Sequence, residues 1–285
     1  MDNQHRAKEL TAFAEEIRVE TLKVLGHAGF GHVGGAMSIV ETIAVLYGEV
    51  MRYDPKNPHW PERDKLVISK GHAGPTLYAT LAMKGFFPQI MLRELNQGGG
   101  RLPSHCDRNK TPGVDMTTGS LGQGISAAIG IALGDRMDGR DSYTFAILGD
   151  GELNEGQNWE GFMFGYQYRL SNLIVFIDNN KQQLDGYTKD IMDLGAIPDK
   201  LRSFGWHTQQ VDGHDCGAIL EAIQNAKRET SLPSAIVLDT KKGHGCTFAE
   251  NIVANHHINF TPEQMKEAMA AAEAALERAR AALLD

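Results

Sequence analysis

The chain has 285 residues, enough for one large α/β domain or two small ones. With 42% hydrophobic and 22% charged residues it has an ordinary globular composition, which excludes disorder, collagen and coiled coil as its main description. A net charge of −8 from 28 basic and 36 acidic side chains, with no basic stripe, argues against a nucleic-acid surface.

No apolar run reaches the roughly 18 residues that would span a bilayer. Met1–Arg6 lacks the apolar core of a signal peptide. Cys106, Cys216 and Cys246 are odd in number and widely spaced, which suits a reduced cytoplasmic protein better than a disulfide scaffold.

Leu10, Phe13, Ile17 and Val24 recur at helical spacing and predict a helix over 5–26. A glycine-rich loop follows at His27–Met37. Ser38-x-x-Glu41 reads as a capping box opening a second helix, with Ile39, Ile43, Leu46 and Val50 on one face. Leu66–Ser69 is a short buried strand that stops at Lys70-Gly71-His72, and Pro75–Lys84 reads as a helix. The region 96–120 reads as loop. Gly122–Met137 is a small-residue helix, Tyr143–Leu148 a strand and Glu155–Tyr168 a helix. Leu173–Ile177 has the continuous apolar run of a strand buried on both faces. Asp215–Arg228 is a helix, Ser234–Leu238 a strand, and Pro262–Leu284 an Ala-rich helix with proline in its first turn. Strands alternating with helices predict an α/β fold: a doubly wound, mostly parallel sheet with helices on both faces. The whole chain, 1–285, is expected to form one domain with its core at about 10–260 and the last helix appended. Ligands of such sheets sit outside the carboxyl ends of the strands.

Glycine, at 31 of 285 residues, exceeds the usual share of about 7%, and the 11 histidines fall mostly beside glycines or in turns. Backbone that can approach a ligand closely, next to imidazoles that carry protons near neutral pH, suggests a polar ligand cradled by loops. Gly29-Phe30-Gly31-His32-Val33-Gly34 matches a dinucleotide-binding pattern. It follows a helix rather than a strand, so that reading fails on context. Gly149-Asp150-Gly151 closes a strand, and 27 residues (152–178) separate it from Asn179-Asn180 at the end of the next strand. A helical crossover of that length would set Asp150 and Asn180 face to face. A carboxylate and an amide oxygen are hard ligands suited to Mg²⁺ or Ca²⁺. The helix start near Asn154-Glu155-Gly156 adds N–H donors for an anion.

Gly149-Asp150-Gly151 followed by Asn179-Asn180 resembles the fingerprint of thiamine diphosphate enzymes. Gly31–Gly35, Ser69–Ala73, Gly113–Gly124 and Gly149–Gly156, in that order and spacing, narrow the resemblance to the N-terminal, diphosphate-binding half of transketolase, over about residues 10–260. The resemblance implies thiamine diphosphate and Mg²⁺ (with Ca²⁺ or Mn²⁺ as substitutes) and transfer of a two-carbon ketol unit from a ketose to an aldose. It implies Asp150 and Asn180 as side-chain metal ligands and Gln182 as a backbone-carbonyl ligand. Gly151 would give an N–H to the diphosphate. His72 and His256 would lie near the diphosphate, and Gly119, Ser120 and Leu121 at the aminopyrimidine. His32, His105 and His256 would face the sugar and move its protons. Glu155 would link two cofactor sites across a dimer interface.

His5, His27, His59, His207, His214 and His244 are expected outside the site, and His257 is unassigned. The sequence departs from the family at Val33, where proline is frequent, at Ser104-His105-Cys106-Asp107, and at His257, where glycine is common. Full-length transketolases are more than twice as long. The resemblance therefore implies a split enzyme, with a separately encoded C-terminal subunit in an α₂β₂ assembly supplying the activating glutamate and the substrate-phosphate grip. Pentose phosphates, a branched sugar phosphate and a sulfonated sugar are the candidate substrates. The alternatives are the α subunit of a 2-oxo acid dehydrogenase, which shares the Gly149 and Asn179 motifs but not the Ser69 or Thr117 segments, and a degenerate homologue that only binds.

Overall fold

Five segments pair side by side into one parallel sheet in the computed structural model, which describes residues 3–284. In chain order the elements are α1 (Asn3–Ala28), β1 (Phe30–Gly31), α2 (Val33–Met37), α3 (Val40–Val45), β2 (Lys65–Ile68), α4 (Gly74–Met83), α5 (Gln123–Met137) and β3 (Thr144–Gly149). There follow α6 (Gly156–Gln167), β4 (Leu173–Asn179), α7 (Thr188–Ile191), α8 (Ile197–Ser203), β5 (His207–Asp212), α9 (Cys216–Arg228), β6 (Ser234–Asp239), β7 (Ile258–Asn259) and α10 (Pro262–Ala281). The sheet runs β2-β3-β4-β6-β5, and β1 pairs with β7 in a separate antiparallel ribbon.

Side-chain alternation explains the unbroken apolar runs. Phe145 and Ile147 of β3, with Ile174 and Phe176 of β4, point into the core shared with α1, α3, α4, α9 and α10. Ala146, Leu148, Val175 and Ile177 point the other way, against α5, α6 and α8. A strand covered on both faces has no polar side to show.

The predicted strands and the larger helices appear with ends displaced by one to three residues. Three differences have physical causes. Ser38 does not N-cap the second helix but ends α2: its hydroxyl donates to Asp178 Oδ2 at 2.7 Å, and α3 starts at Val40. Glu41 turns instead to the buried Arg18. A buried carboxylate needing a proton donor outcompetes a helix end that has other partners. The strand β5 was not anticipated because it lies at the sheet edge and its residues, His207-Thr208-Gln209-Gln210-Val211-Asp212, are only half covered. The short helices α7 and α8 and the two-residue strands β1 and β7 carry too few residues to show a period. The last helix ends at Ala281 and is opened by a capping box of Thr261 and Gln264.

Cys106, Cys216 and Cys246 are buried and unpaired. No helix among the described residues is long and apolar enough to cross a membrane.

Candidate active site

The sheet register builds the site. Gly149 of β3 is paired with Asp178 of β4, so Asp150 and Asn180 emerge together at neighbouring carboxyl ends. Asp150 is buried. Its Oδ1 accepts the Gly151 N–H at 2.8 Å and its Oδ2 the Lys181 N–H at 2.6 Å. Asn180 Oδ1 accepts the Gln182 N–H at 3.1 Å, and Asn180 Nδ2 donates to Asp178 Oδ2 at 2.9 Å. The Gly151 N–H, which the family resemblance directs to a diphosphate, is thus committed to Asp150 here.

Two buried carboxylates behave oppositely. Burial pushes the Asp178 carboxyl up, but the Lys70 ammonium paired with it, helped by the Ser38 and Thr240 hydroxyls, brings it below the usual carboxylate range. Asp150 has no such cation. Burial and the nearby Asp178 charge push it up to about 7. Close by, Gln182 Oε1 is buried with no hydrogen-bond partner. A carboxylate held by two backbone N–H groups but touched by no cation among the described residues, beside an oxygen without a donor, is a set that a divalent ion could complete.

Asp150 opens onto a cavity of about 240 Å³ that is also lined by His72, Leu121, Glu155, Lys242 and His256. Burial lowers the Lys242 ammonium to about 8. Glu152 holds the walls together. It accepts from the Ser69 hydroxyl, the Gly122 N–H at 2.9 Å and the Gly149 N–H at 3.1 Å, tying three motif turns to one side chain. Glycine is required where imidazoles approach the backbone. A Cβ on Gly35 would lie 2.7 Å from His72 Nε2, and one on Gly119, at φ +137°, 2.8 Å from His105 Cδ2. A wider groove of about 470 Å³ between α1 and α10 has an apolar floor and no converging polar set.

Five imidazoles gather at the mouth. His32 is the hub, with ring centroids at 4.7 Å to His257, 5.1 Å to His105, 5.3 Å to His256 and 5.5 Å to His72. His72 and His256 are 4.6 Å apart. Ser104 Oγ lies 3.3 Å from His32 Nδ1. Burial, then the proximity of His256 and His105, lowers His32 to about 3. Burial and Lys242 lower His256 to about 4. His72 and His105 are also lowered, chiefly by burial. These four rings are neutral at pH 7, each with a lone pair to accept a proton.

The structure therefore brings His32, His72, His105, His256, Asp150, Gly151, Asn180 and Gln182 to one cleft. Leu121 and Glu155 line its rim, Gly119 packs on His105, and Ser120 is exposed beside them. Glu155 flanks the start of α6, its Cβ 2.7 Å from where a Cβ on Gly122 would lie. His257, unassigned from sequence, belongs to the cluster. His5, His27 and His59 are exposed or nearly so, away from it. Sequence reasoning missed Lys70, Asp178, Glu152 and Lys242. Lys70 and Glu152 lie inside the motif segments and Asp178 directly before Asn179-Asn180, and all three carried a signal: charged residues at or just past the ends of apolar strands. Lys242, in a surface-like Lys-Lys-Gly stretch, carried none.

A match to the family described as transketolase, thiamine diphosphate binding domain, spans residues 10–273. The chain belongs to the transketolase family. It is 51% identical to the 6-deoxy-6-sulfo-D-fructose transketolase subunit of Clostridium sp. (strain MSTE9), over 96% of this chain and 97% of that protein. It is 34% identical to an apulose-4-phosphate transketolase subunit of Phocaeicola vulgatus, over 90% and 91%. Against human transketolase it is 35% identical over 93% of its own length but spans 42% of that enzyme. Among solved structures, Pichia stipitis transketolase in complex with sedoheptulose-7-phosphate superposes with a TM-score of 0.85 at 29% identity, covering 98% of this chain and 45% of that one. The Campylobacter jejuni transketolase gives 0.87 at 26%, covering 98% and 46%. The fold is the α/β fold of transketolase's thiamine diphosphate-binding half. These relatives decide for an N-terminal transketolase subunit over the α subunit of a 2-oxo acid dehydrogenase.

Proposed function

We propose that this chain holds thiamine diphosphate and Mg²⁺ for a two-chain transketolase that moves a two-carbon ketol unit from a sulfonated ketose to an aldose. The observation that carries the reading is the corner where Asp150, Asn180 and Gln182 meet beside a cleft of neutral imidazoles. The donor set fits a hard divalent ion: a carboxylate without a cation, an amide oxygen and a Gln182 backbone carbonyl. The Lys242 ammonium on the same cavity suits a diphosphate. An anion set among His72 and His256 would draw their basicity back up. Both the metal and the phosphates thus relieve strains already present in the protein.

When bound, thiamine diphosphate supplies a nucleophilic thiazolium carbon for attack on a ketose carbonyl. The residues of this chain do the rest of the work on their side of the cleft. Gly119, Ser120 and Leu121 border the aminopyrimidine, and Glu155 meets a second protomer. His32 and His105 accept and return the proton of a sugar hydroxyl, with Ser104 Oγ orienting the His32 ring. His256 reaches both the diphosphate and the sugar. His72, the most buried of the imidazoles, holds position rather than exchanging protons with solvent.

The partner is a separately encoded C-terminal transketolase subunit, in an α₂β₂ assembly. The Clostridium and Phocaeicola relatives, each matched over nearly its whole length and each named as a subunit, support this. The sulfonated donor is supported by the 51% identity to the sulfofructose enzyme. One domain spanning the chain and a reducing, cytoplasmic setting accord with the continuous sheet and three buried thiols.

The test is calorimetry and turnover with the co-purified subunits. The assembly is expected to bind thiamine diphosphate only with a divalent ion and to release an aldose from a ketose. Asp150→Ala should weaken cofactor binding by at least a hundredfold. Unchanged affinity in that variant would sink the proposed metal corner.

A further inference from the structure

Asp178 lies on β4, the central strand of the sheet, paired with Gly149 on one side and Leu238 on the other. Its side chain is fully buried. Four donors converge on it. The Ser38 hydroxyl at 2.7 Å, the Lys70 ammonium and Asn180 Nδ2 at 2.9 Å all reach Oδ2, and the Thr240 hydroxyl reaches Oδ1. A buried carboxylate needs such a set to offset the water it has lost. Lys70 neutralises the charge and is itself held by the Gly35 carbonyl at 2.8 Å. The carboxylate is thus fixed by the fold alone.

One of those four bonds leads to the metal corner. Asn180 lines the cavity with Asp150 and Gln182, whereas Asp178 does not. The Asn180 amide therefore has a back and a front. Its Nδ2 turns back to Asp178, and its Oδ1 accepts the Gln182 N–H at 3.1 Å. Turned over, the amide would set oxygen against carboxylate oxygen and NH₂ against N–H, and both contacts would fail. Only the observed orientation offers an oxygen to a hard divalent ion. Of the two contacts, the one to the ionised acceptor is the stronger guide, because charge-assisted hydrogen bonds are about twice as strong as neutral ones.

We infer that Asp178 is a positioning residue for the cation site: it holds the Asn180 amide with its oxygen turned to the ion, without touching the ion itself. The inference rests on the proposed cation at Asp150 and Asn180. Because Lys70 cancels the Asp178 charge, the effect is one of direction and not of long-range attraction. Removing a group that orients a metal ligand typically weakens metal binding by about 10–100-fold.

Removing Asp178 alone would strand the buried Lys70, so the two are replaced together. A neutral pair of similar volume is often tolerated where a buried ion pair stood. The experiment compares the assembled two-chain enzyme as wild type, as Lys70→Met with Asp178→Leu, and as Lys70→Met with Asp178→Asn. Mg²⁺ is titrated calorimetrically at saturating thiamine diphosphate, and the melting temperature of each metal-free assembly is recorded. Asparagine at 178 keeps an acceptor oxygen for Asn180 Nδ2 and can turn its own NH₂ to the Thr240 hydroxyl. Leucine keeps neither. The leucine variant is expected to bind Mg²⁺ at least tenfold more weakly than the asparagine variant. A ratio below threefold overturns the inference, whether both variants match wild type or both fall below it, since the acceptor at 178 would then be immaterial to the ion. Lys70→Met with Asp178→Ala tests the same expectation where leucine is not accommodated. Unfolding of both apolar variants, with the asparagine variant folded, also overturns it, because the acceptor would then hold the fold and not the ligand. A wild-type assembly that binds no thiamine diphosphate with Mg²⁺ overturns the cofactor reading and this inference together, an outcome seen before any variant is compared.

Discussion

Two partly buried clusters among the described residues contain histidines, and they differ in what their nitrogen atoms do. In the cleft, His32, His72, His105 and His256 face one another with no carboxylate among the rings they contact. About the Arg18 side chain, Glu41 accepts from the buried guanidinium and lies 3.2 Å from His214 Nδ1. His214 Nε2 accepts the Lys241 N–H at 2.9 Å. That contact fixes the tautomer, with the proton on Nδ1 and donated to Glu41. His244 stacks on His214 at 3.8 Å. Glu41, His214 and His244 have ligand atoms close enough for a metal ion, yet Arg18 already neutralises the carboxylate and both His214 nitrogens are engaged. The lesson is that residue type does not mark a site. The second cluster has its carboxylate and both His214 nitrogens engaged within the protein, with His244 Nδ1 left without a hydrogen bond, whereas the first presents its nitrogens to a shared cleft.

Three further measurements would break or sharpen that contrast. The largest effect is expected from the open cluster. His32→Asn should lower kcat/KM of the assembled enzyme by a hundredfold or more, within the range of about 10²–10⁴ typical of acid–base groups, with cofactor affinity and melting temperature nearly unchanged. A fall of less than fivefold would place His32 outside the chemistry.

The closed cluster should respond in stability instead. Glu41→Ala leaves the Arg18 guanidinium, 1% exposed, with only the partly buried Glu15 as a counter-charge. Removing one member of a buried pair costs about 3–5 kcal/mol, so denaturant melts should shift by that amount. Enzyme that still folds should keep its KM. An unchanged KM with an unchanged melt would show that Arg18 is satisfied without Glu41.

The smallest effect is a pH slope. His32 and His256 are held at about 3 and about 4 in the folded chain, against an ordinary value near 6.5. The unfolded chain therefore takes up protons that the folded chain refuses. Their contribution to stability is complete above about pH 6.5 and is lost as pH falls toward 4. Melting temperatures of the cofactor-free chain should drop over that interval. The double substitution His32→Asn, His256→Asn should flatten the curve, and parallel curves would contradict the assigned shifts.

Much of this was legible in the residues themselves. Leu173–Ile177 read as a strand buried on both faces, because a short unbroken run rich in β-branched and large apolar side chains suits a parallel strand covered on both sides. Gly149-Asp150-Gly151 and Asn179-Asn180 announced neighbouring strand ends by their interval alone. Ser38-x-x-Glu41 misled for an instructive reason: a local pattern was overruled by partners 140 and 23 residues away. Hydroxyl and carboxylate were drawn to Asp178 and Arg18, whose burial makes an unmet hydrogen bond far more costly than an uncapped helix.

The sequence by itself determined the alternation of strand and helix, the meeting of Asp150 and Asn180 at neighbouring strand ends and four of the five clustered imidazoles, because periodicity, glycine placement and strand-end residues are local properties. Only the tertiary structure decided which charges neutralise one another and which remain free. The Lys70 pairing with Asp178, the exclusion of His214 and His244, and the arrival of His257 opposite His32 all depend on segments far apart in the chain. Burial and distance set a side chain's pKa and its available lone pairs, and neither is written in a residue's own neighbourhood.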